Sequence, residues 1–471
     1  MIQNTGLWTK QHFSRAFATD IRRKRRIVRI AEMMARLPGK SIPQFCETKY
    51  DIKATYELLK HPESTPNALQ RGHRILTQKT IQNSPGVYLL IEDSSDIIFS
   101  GRRQIQGLGP VGEADSVLKG FLLHTVLAVK YPPQSSSVDK HGKRLPVEII
   151  GIADQQYHVR EAVKKARKSR QFVTRDRESD LWLNSQKNIG KRLENDNIKW
   201  ISVCDRGADI YEYMIDSSNN NRNYIVRAKH DRILVPNTSN SKSLFEHARN
   251  MPESGTFELE LRSRPGQTAR TVVLSLSYGT VEIRAPQRPG SRAGSLASIK
   301  STVVRVVEKN PASDDFLEWI LLTDLNVNNF NEAYQIAEWY SSRWIIEDYH
   351  KALKSGMKIE ELQLDTQHSL FAAISIMAVV ALRLVELREI IRLRSTAPSS
   401  ELGLDELELL ILEKISKKKL KTVKEVGMVI GRLGGHIGRN SDGMPGMTTL
   451  WKGYIRLKDM FEGARLMKLQ I

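Results

Sequence analysis

The sequence predicts an α/β protein: a mixed β-sheet flanked by helices, interrupted by an antiparallel β insertion, with helical segments at both ends of the chain. Three observations point there. Between about residues 87 and 230, apolar strand-like runs alternate with charged helical stretches, the succession expected of helices packed on a sheet. From about 231 to 318, segments that alternate apolar with polar residues are separated by Gly, Pro and Ser turns. Before about residue 70 and after about 395 the pattern is helical. The expected units are therefore 1–70, 71–394 with its insertion at 231–318, and 395–471. Three units suit a 471-residue chain at roughly 150 residues each.

In the first unit, helices are expected over 8–17, over 20–37 and through 54–60, the last closed by His61-Pro62. Asp20 is placed to cap the second helix and Pro38-Gly39 to stop it. Arg22, Arg23, Lys24, Arg25 and Arg26 follow the cap in succession and wrap around more than one face. A solvated basic helix would show the same run, but phosphate contact suits the charge of the whole chain better. Residues 87–91 then read as a strand ending in Glu92-Asp93, followed by strands over 97–99, 121–129 and 147–152. A charged helix around 177–193 precedes a strand over 200–204 that stops at Asp205. A short helix over 208–214 and a strand over 224–226 complete this part. The insertion holds strands at 257–261, 272–276, 281–283 and 303–307, and a last strand at 316–323 leads into a long helix over 331–354. The tail is basic and helical, with Lys417, Lys418 and Lys419 and the run Arg432-Leu433-Gly434-Gly435. No internal repeat at solenoid periods is present.

Lys and Arg total 72 against 53 Asp and Glu, a formal charge of +19. A chain this basic meets polyanions, because neutralising phosphates releases condensed counterions. An anionic membrane surface, acidic protein partners or a merely cationic exterior would also accommodate it. The two cysteines, Cys46 and Cys204, give no disulfide framework and no zinc-ligand spacing, which fits a reducing cytosol. The apolar run over 371–382 is interrupted by Ser375, ends at Arg383 and falls short of the ~20 residues that span a bilayer. The N-terminus lacks the uninterrupted apolar stretch of a signal peptide. A soluble cytoplasmic protein with no membrane partner is expected.

The 331–354 helix is the most informative segment. At about 100° per residue, Tyr340, Arg343, Glu347, His350, Lys351 and Lys354 share one face, while Ile345, Tyr349, Ala352 and Leu353 face a core. Arg343 and Glu347 alone would pass for an (i, i+4) surface pair worth ~0.2–0.5 kcal/mol. An aromatic, a carboxylate and several cations on one strip instead suit metal and phosphate together. Asp93 and Asp205 each end an apolar strand, which fixes the backbone while the side chain reaches an open edge. Either alone is more often a turn residue or an N-cap, and Asp205 is well placed to cap the helix after it. With Glu347 they make three hard oxygen donors without His or Cys, a set that points to Mg²⁺, with Mn²⁺ as a substitute. Two such ions ~3.5–4 Å apart can serve both oxygens of an in-line displacement at phosphorus.

The segments Ile91-Glu92-Asp93-Ser94-Ser95, Val203-Cys204-Asp205-Arg206-Gly207-Ala208-Asp209-Ile210 and Tyr340 through Lys354 resemble the DDE motifs of IS4-family transposases. The third carries the Y-(x)2-R-(x)3-E-(x)6-K pattern at Tyr340, Arg343, Glu347 and Lys354. The resemblance runs from the N-terminal helices, including Gly39-Lys40-Ser41-Ile42, to Leu450-Trp451, nearly the whole chain. It implies an RNase H-like core in which Asp93, Asp205 and Glu347 bind metal. It implies that Tyr340, Arg343 and Lys354 hold DNA phosphates near the scissile bond, and that Trp319 stacks on a flipped base during hairpin formation. Arg227 and Lys229 match a basic strand lining the DNA, and Arg22, Arg23 and Arg26 match the end-recognition domain. His350 receives no role. Gly207 stands where a member of the family carries an acidic residue, two residues appear inserted between Asp93 and Arg102-Arg103-Gln104, and the insertion aligns poorly.

The expected activity is cut-and-paste transposition of the element that encodes the chain, acting on its terminal inverted repeats and on target DNA. The resemblance also implies a homodimer in a synaptic complex, with the region from about 395 in the contact, working in a bacterial cytoplasm on nucleoid DNA. A metal-dependent nuclease without strand transfer would share the triad, and an inactive DNA-binding regulator would share the charge.

Overall fold

The computed structural model describes residues 4–16, 19–99, 105–112, 118–132, 146–161, 178–236, 241–261, 270–287, 296–311, 316–439 and 442–468. Arg102-Arg103-Gln104 and the first residue of the helix expected at 177–193 lie outside the described residues.

The strands join into one sheet. They are β1 (Gly86–Phe99), β2 (Gly109–Pro110), β3 (Lys119–Tyr131), β4 (Glu148–His158), β5 (Ile198–Cys204), β6 (Asn223–Arg227), β7 (Gly255–Leu261), β8 (Arg270–Ile283), β9 (Ile299–Glu308) and β10 (Glu318–Thr323). Their order is β2-β3-β1-β5-β6-β10-β9-β8-β7, with β4 also paired to β3. β1, β5 and β6 run parallel, and the other pairings are antiparallel. The core is the mixed, helix-flanked sheet of an RNase H-like fold. The insertion's strands are antiparallel as expected, and they extend the core sheet through β10 instead of forming a separate layer.

β1 corrects one expectation. It does not stop at Glu92-Asp93 but runs on to Phe99, because β3 pairs with it at every residue from Val87 to Phe99. The two short strands expected at 87–91 and 97–99 are therefore one. What does end at Glu92 is the parallel pairing with β5, whose last matched pair is Glu92 with Cys204.

Alternation along the strands assigns the two faces. Leu89 and Ile91 of β1, Ile201 and Val203 of β5, Ile225 of β6, and Trp319 and Leu321 of β10 all join the main apolar core. Tyr88, Leu90 and Trp200 point the other way, and so do Cys204, Val226, Ile320 and Leu322. On the main face lie α9 (Phe330–Ser341), α10 (Trp344–Lys351) and α11 (Gln367–Leu393). On the other lie α6 (Glu178–Ile189) and α7 (Tyr211–Asn219), through Trp182, Tyr211, Tyr213 and Met214; α8 (Leu244–Asn250) joins them through Leu244 and Ala248.

The N-terminal helices are α1 (Thr5–Phe13), α2 (Ile21–Arg36), α3 (Ile42–Phe45), α4 (Lys49–Lys60) and α5 (Pro66–Asn83). Asp20 caps α2, accepting from the Arg22 amide at 2.8 Å. Ile27, Ile30, Ala31 and Met34 form its buried stripe, at the spacing of one helical face. The boundary expected at residue 70 falls inside α5, which packs against β4 and α11. Thr65 caps α5 and Pro66 opens it.

α11 is longer than its apolar run suggested, continuing ten residues past Arg383. By length and composition it could cross a membrane, but 94% of its most apolar window is buried inside the fold. A helix apolar all round is what a protein core requires of its central element. The C-terminal helices α12 (Glu406–Ser416), α13 (Val423–Leu433) and α14 (Met447–Lys468) pack on one another, and α13 and α14 also pack on α11.

Candidate active site

The sheet brings two of the three expected carboxylates together by register. Glu92 and Cys204 are the last matched pair of the parallel ladder, so Asp93 and Asp205 are the next residues on neighbouring strands. Both have the parity of Ile91 and Val203, which places them on the face covered by α10. Asp205 does two things at once: it follows the last residue of β5, and its Oδ1 accepts from the Gly207 amide at 2.7 Å, capping a short 3₁₀ turn over Arg206–Ala208.

The third carboxylate reaches the same place through an arginine. Arg343 donates from Nη1 to Asp93 Oδ2 at 2.8 Å and from Nη2 to Glu347 Oε1 at 2.6 Å. The (i, i+4) ion pair with Glu347 therefore exists, and it is one half of a bridge between helix and sheet. Burial first, then Asp205 and Glu347, push the Asp93 carboxyl up to about 6, with Arg343 opposing them. Asp93 thus lies within the electrostatic reach of both other acids. Among the described residues no three His, Cys, Asp or Glu side chains stand in a closed metal-binding cluster. The three acids stand apart, with the Arg343 fork between Asp93 and Glu347 supplying positive charge to both.

The other expected residues distribute unequally. The single helix expected over 331–354 is broken: α9 ends at Ser341, α10 starts at Trp344, and a π-helical turn, Ala352–Gly356, follows. Ser341 Oγ donates back to the Glu338 carbonyl at 2.7 Å, a side-chain bond that competes with continued helix. Tyr340 is buried rather than on an open strip, within hydrogen-bonding reach of Arg227 and edge-on to Trp319, with ring centroids 5.0 Å apart at 67°. Trp319 packs in β10 at 7% exposure, so here it is a core side chain at the margin of the site. Arg227 Nη2 donates to the Glu318 carbonyl at 2.7 Å. Lys354 is half-buried on the π turn. His350 is buried, and burial first, then Lys354, His124 and Arg343, lower its pKa to about 3, so its ring is neutral. Arg22 is exposed, whereas Arg23 is paired with Glu63 and Arg26 with Asp51 at 2.8 Å.

Sequence reasoning missed two arrangements. Glu92, one residue from Asp93 but on the opposite face, is buried and accepts from Tyr213 at 2.8 Å while bonding His124 Nε2 at 2.8 Å. His124 Nδ1 in turn bonds Ser94 Oγ at 2.7 Å, which ties both flanks of Asp93 to the sheet. Asp209 accepts from the amides of Lys229 (2.7 Å) and His230 (2.8 Å) and from Arg232 Nε (2.9 Å). This fixes the turn that presents Lys229. The signal was available: Asp209 lies four residues after Asp205 in Asp205-Arg206-Gly207-Ala208-Asp209, beyond what the cap requires.

Comparison with known families agrees with this geometry along the chain. A transposase DNA-binding model matches residues 6–64, a transposase DDE domain model matches 152–383, and a transposase Tn5 dimerisation domain model matches 379–470. The chain belongs to the Tn5-like DDE transposases of the IS4 family. As a DDE transposase it is a DNA-binding, dimerising enzyme of a family that uses divalent metal ions. The DDE match takes in Asp205 and Glu347; Asp93 lies before it and rests on the register and the Arg343 bridge. The dimerisation match begins within α11, so one helix belongs to both halves of the transposase.

The donor set suits a hard divalent cation. It offers carboxylate oxygen without sulfur or imidazole, and burial beside two other acids makes ionised Asp93 costly unless positive charge is supplied.

Proposed function

We propose that this transposase moves its own element by cut-and-paste transposition, with Asp93, Asp205 and Glu347 holding Mg²⁺. The observation that carries the reading is the Arg343 bridge from Asp93 to Glu347 beside Asp205. Divalent ions, when bound, activate the attacking oxygen and stabilise the leaving oxygen of an in-line displacement at phosphorus.

The chain's own residues supply the rest. Arg343 has a planar fork that fits a phosphate as well as a carboxylate, so binding DNA lets it pass from Asp93 and Glu347 to the substrate backbone. Lys354 offers a compact charge on the same segment. Tyr340 and the Glu318 carbonyl hold Arg227 in place, and Asp209 holds the turn bearing Lys229. Trp319 would hold a base taken out of the stack, at a few kcal/mol of unstacking, only after its ring leaves its packing against Tyr340. Water attacks one strand at the element end and releases a 3′-hydroxyl. That hydroxyl attacks the opposite strand to close a hairpin, water reopens it, and the 3′ end displaces a phosphodiester oxygen in target DNA. Each step exchanges one P–O bond for another, so one site serves all four. Arg22, Arg23 and Arg26 contact the terminal inverted repeats, and the homodimer pairs two ends in the cytoplasm, on nucleoid DNA.

The test incubates the purified chain with Mg²⁺, DNA carrying the inverted repeats that flank its gene, and a target plasmid. Hairpin-ended and joined products are expected. Nicks without joining would favour a simple nuclease, and cleavage that survives Glu347→Ala would overturn the site.

A further inference from the structure

The segment from Glu347 to Gly356 carries the candidate metal ligand at its start and Lys354 near its end. It closes not as α-helix but as a π turn, with the Met357 amide donating to the Ala352 carbonyl at 2.8 Å. π turns inside helices recur at functional sites because they offset the residues that follow. Both ends of this segment are gripped by residues of the dimerisation match.

At the front, Asp348 is ion-paired with Arg388 of α11. Arg388 also donates from Nε to Glu389 Oε1 at 2.8 Å, and Glu389 Oε2 accepts from the Val147 amide at 3.1 Å. Arg388 and Glu389 side chains are 5% and 1% exposed. A buried charge set of this kind contributes little net stability but is costly to break, so it fixes geometry. At the back, a Cβ on Gly356 would lie 3.0 Å from Trp451 Cε3 of α14 and 3.2 Å from Leu384 Cδ1 of α11. The N-terminal unit closes the third side: Gly39, at φ +76°, approaches so closely that a Cβ there would lie 2.4 Å from the Gly356 carbonyl oxygen. The motifs Gly39-Lys40-Ser41-Ile42 and Leu450-Trp451, far apart in sequence, thus meet at the end of the catalytic segment.

We propose that Arg388 and Trp451, both from the dimerisation half, are positioning residues that clamp the two ends of the Glu347–Gly356 segment and thereby set Glu347 and Lys354. The proposal rests on the transposase site described above. It makes the dimerisation half part of the active site's rigidity, in addition to its role in pairing subunits.

The experiment compares full-length wild type with Trp451→Leu, Trp451→Phe and Arg388→Lys. Four quantities are measured: single-turnover nicking of pre-bound element-end DNA, end binding in EDTA, dimer mass by light scattering, and amide exchange across residues 344–356. Misplacement of a reacting group by about 1 Å can cost ~100-fold in rate, so Trp451→Leu and Arg388→Lys should nick about 10- to 100-fold more slowly per bound complex. End binding should hold within about twofold and dimer mass should be unchanged, exchange across 344–356 should accelerate, and Trp451→Phe should recover most of the rate. Wild-type nicking per complex in a folded Trp451→Leu, or a loss that tracks end binding alone, would overturn the clamp. Should Arg388→Lys fail to fold, the two Trp451 variants decide. Should wild type itself not nick, the transposition reading falls, and unchanged exchange in Trp451→Leu would separately sink the clamp.

Discussion

Replacing Asp93 with Asn should make the metal-free protein more stable while abolishing its activity. The Asp93 carboxyl is pushed up to about 6 from the ordinary aspartate value of 3.8, by burial first and by Asp205 and Glu347 after it, even with Arg343 alongside. Because the folded pKa lies above the unfolded one, the folded state holds its proton more tightly, and stability falls as pH rises from about 4 to about 6. A pKa raised by about 2 corresponds to about 3 kcal/mol, fully expressed at pH 7.5. An Asn side chain copies the neutral carboxyl and escapes that penalty. The expected gain in EDTA at pH 7.5 is therefore about 3 kcal/mol, or roughly 4 °C in the melting of a unit as long as 71–394. The gain should shrink to about half at pH 5 and below about 1 kcal/mol at pH 4, where the unfolded carboxyl is protonated as well. Saturating Mg²⁺ should close the gap from the other side, since a ligand at one hundred times its Kd stabilises the wild type by about 2.7 kcal/mol. Urea denaturation of both proteins at three pH values, with EDTA and with Mg²⁺, measures all of this. An Asn variant no more stable than wild type in EDTA at pH 7.5, or one whose advantage is independent of pH, would refute the electrostatic account of the site.

Three further outcomes follow from single contacts. Gly207→Ala would place a Cβ 2.8 Å from Trp182 Cζ2 and 2.9 Å from Asp205 Oδ1, so it should cost about 1–3 kcal/mol in thermal melting and lower nicking by displacing Asp205. Arg22→Ala removes an exposed cation that has no ion pair among the described residues; end binding should weaken uniformly across end sequences, and the log–log salt slope should drop by about 1 in a fluorescence titration. Gly453→Ala would set a Cβ 1.7 Å from the Ile430 carbonyl oxygen where α14 crosses α13, and the forced separation should cost at least about 1–3 kcal/mol and shift light-scattering mass toward monomer.

The fold class was legible because its periodicities are strong. The continuous apolar runs of β1 and β5 declare strands buried on both faces, the insertion alternates cleanly, and Asp20 and Pro38-Gly39 bracket α2 as capping chemistry requires. Local chemistry misled where tertiary pairing overrode it. The polar run Asp93-Ser94-Ser95-Asp96 hides a strand that exists because β3 is long enough to pair beside it throughout. The tightened joint at Ser342 and Arg343, both still right-handed, was hidden by a helical period that continues on both sides, and the back-bonding of Ser341 and Ser342 to the Glu338 carbonyl marks it. Thr65-Pro66 announces α5, but a first unit that ends at residue 70 cuts through the helix.

For the site, motif spacing nominated the residues but could not say how they meet. Asp93 and Asp205 lie more than a hundred positions apart, and what brings them near is a parallel ladder whose last pair, Glu92 with Cys204, immediately precedes both. Glu92 shows the reverse. It adjoins Asp93 in sequence, yet strand parity sends it to the opposite face, where His124 and Tyr213 satisfy it in the core. Two acids side by side in a chain therefore take opposite fates: one is hydrogen-bonded within the core by Tyr213 and His124, and the other is left half-covered beside Arg343, where burial and the neighbouring acids outweigh that one cation. That residual imbalance distinguishes a site prepared for a cation from a buried acid that needs none, and it becomes visible only when register and helix are seen together.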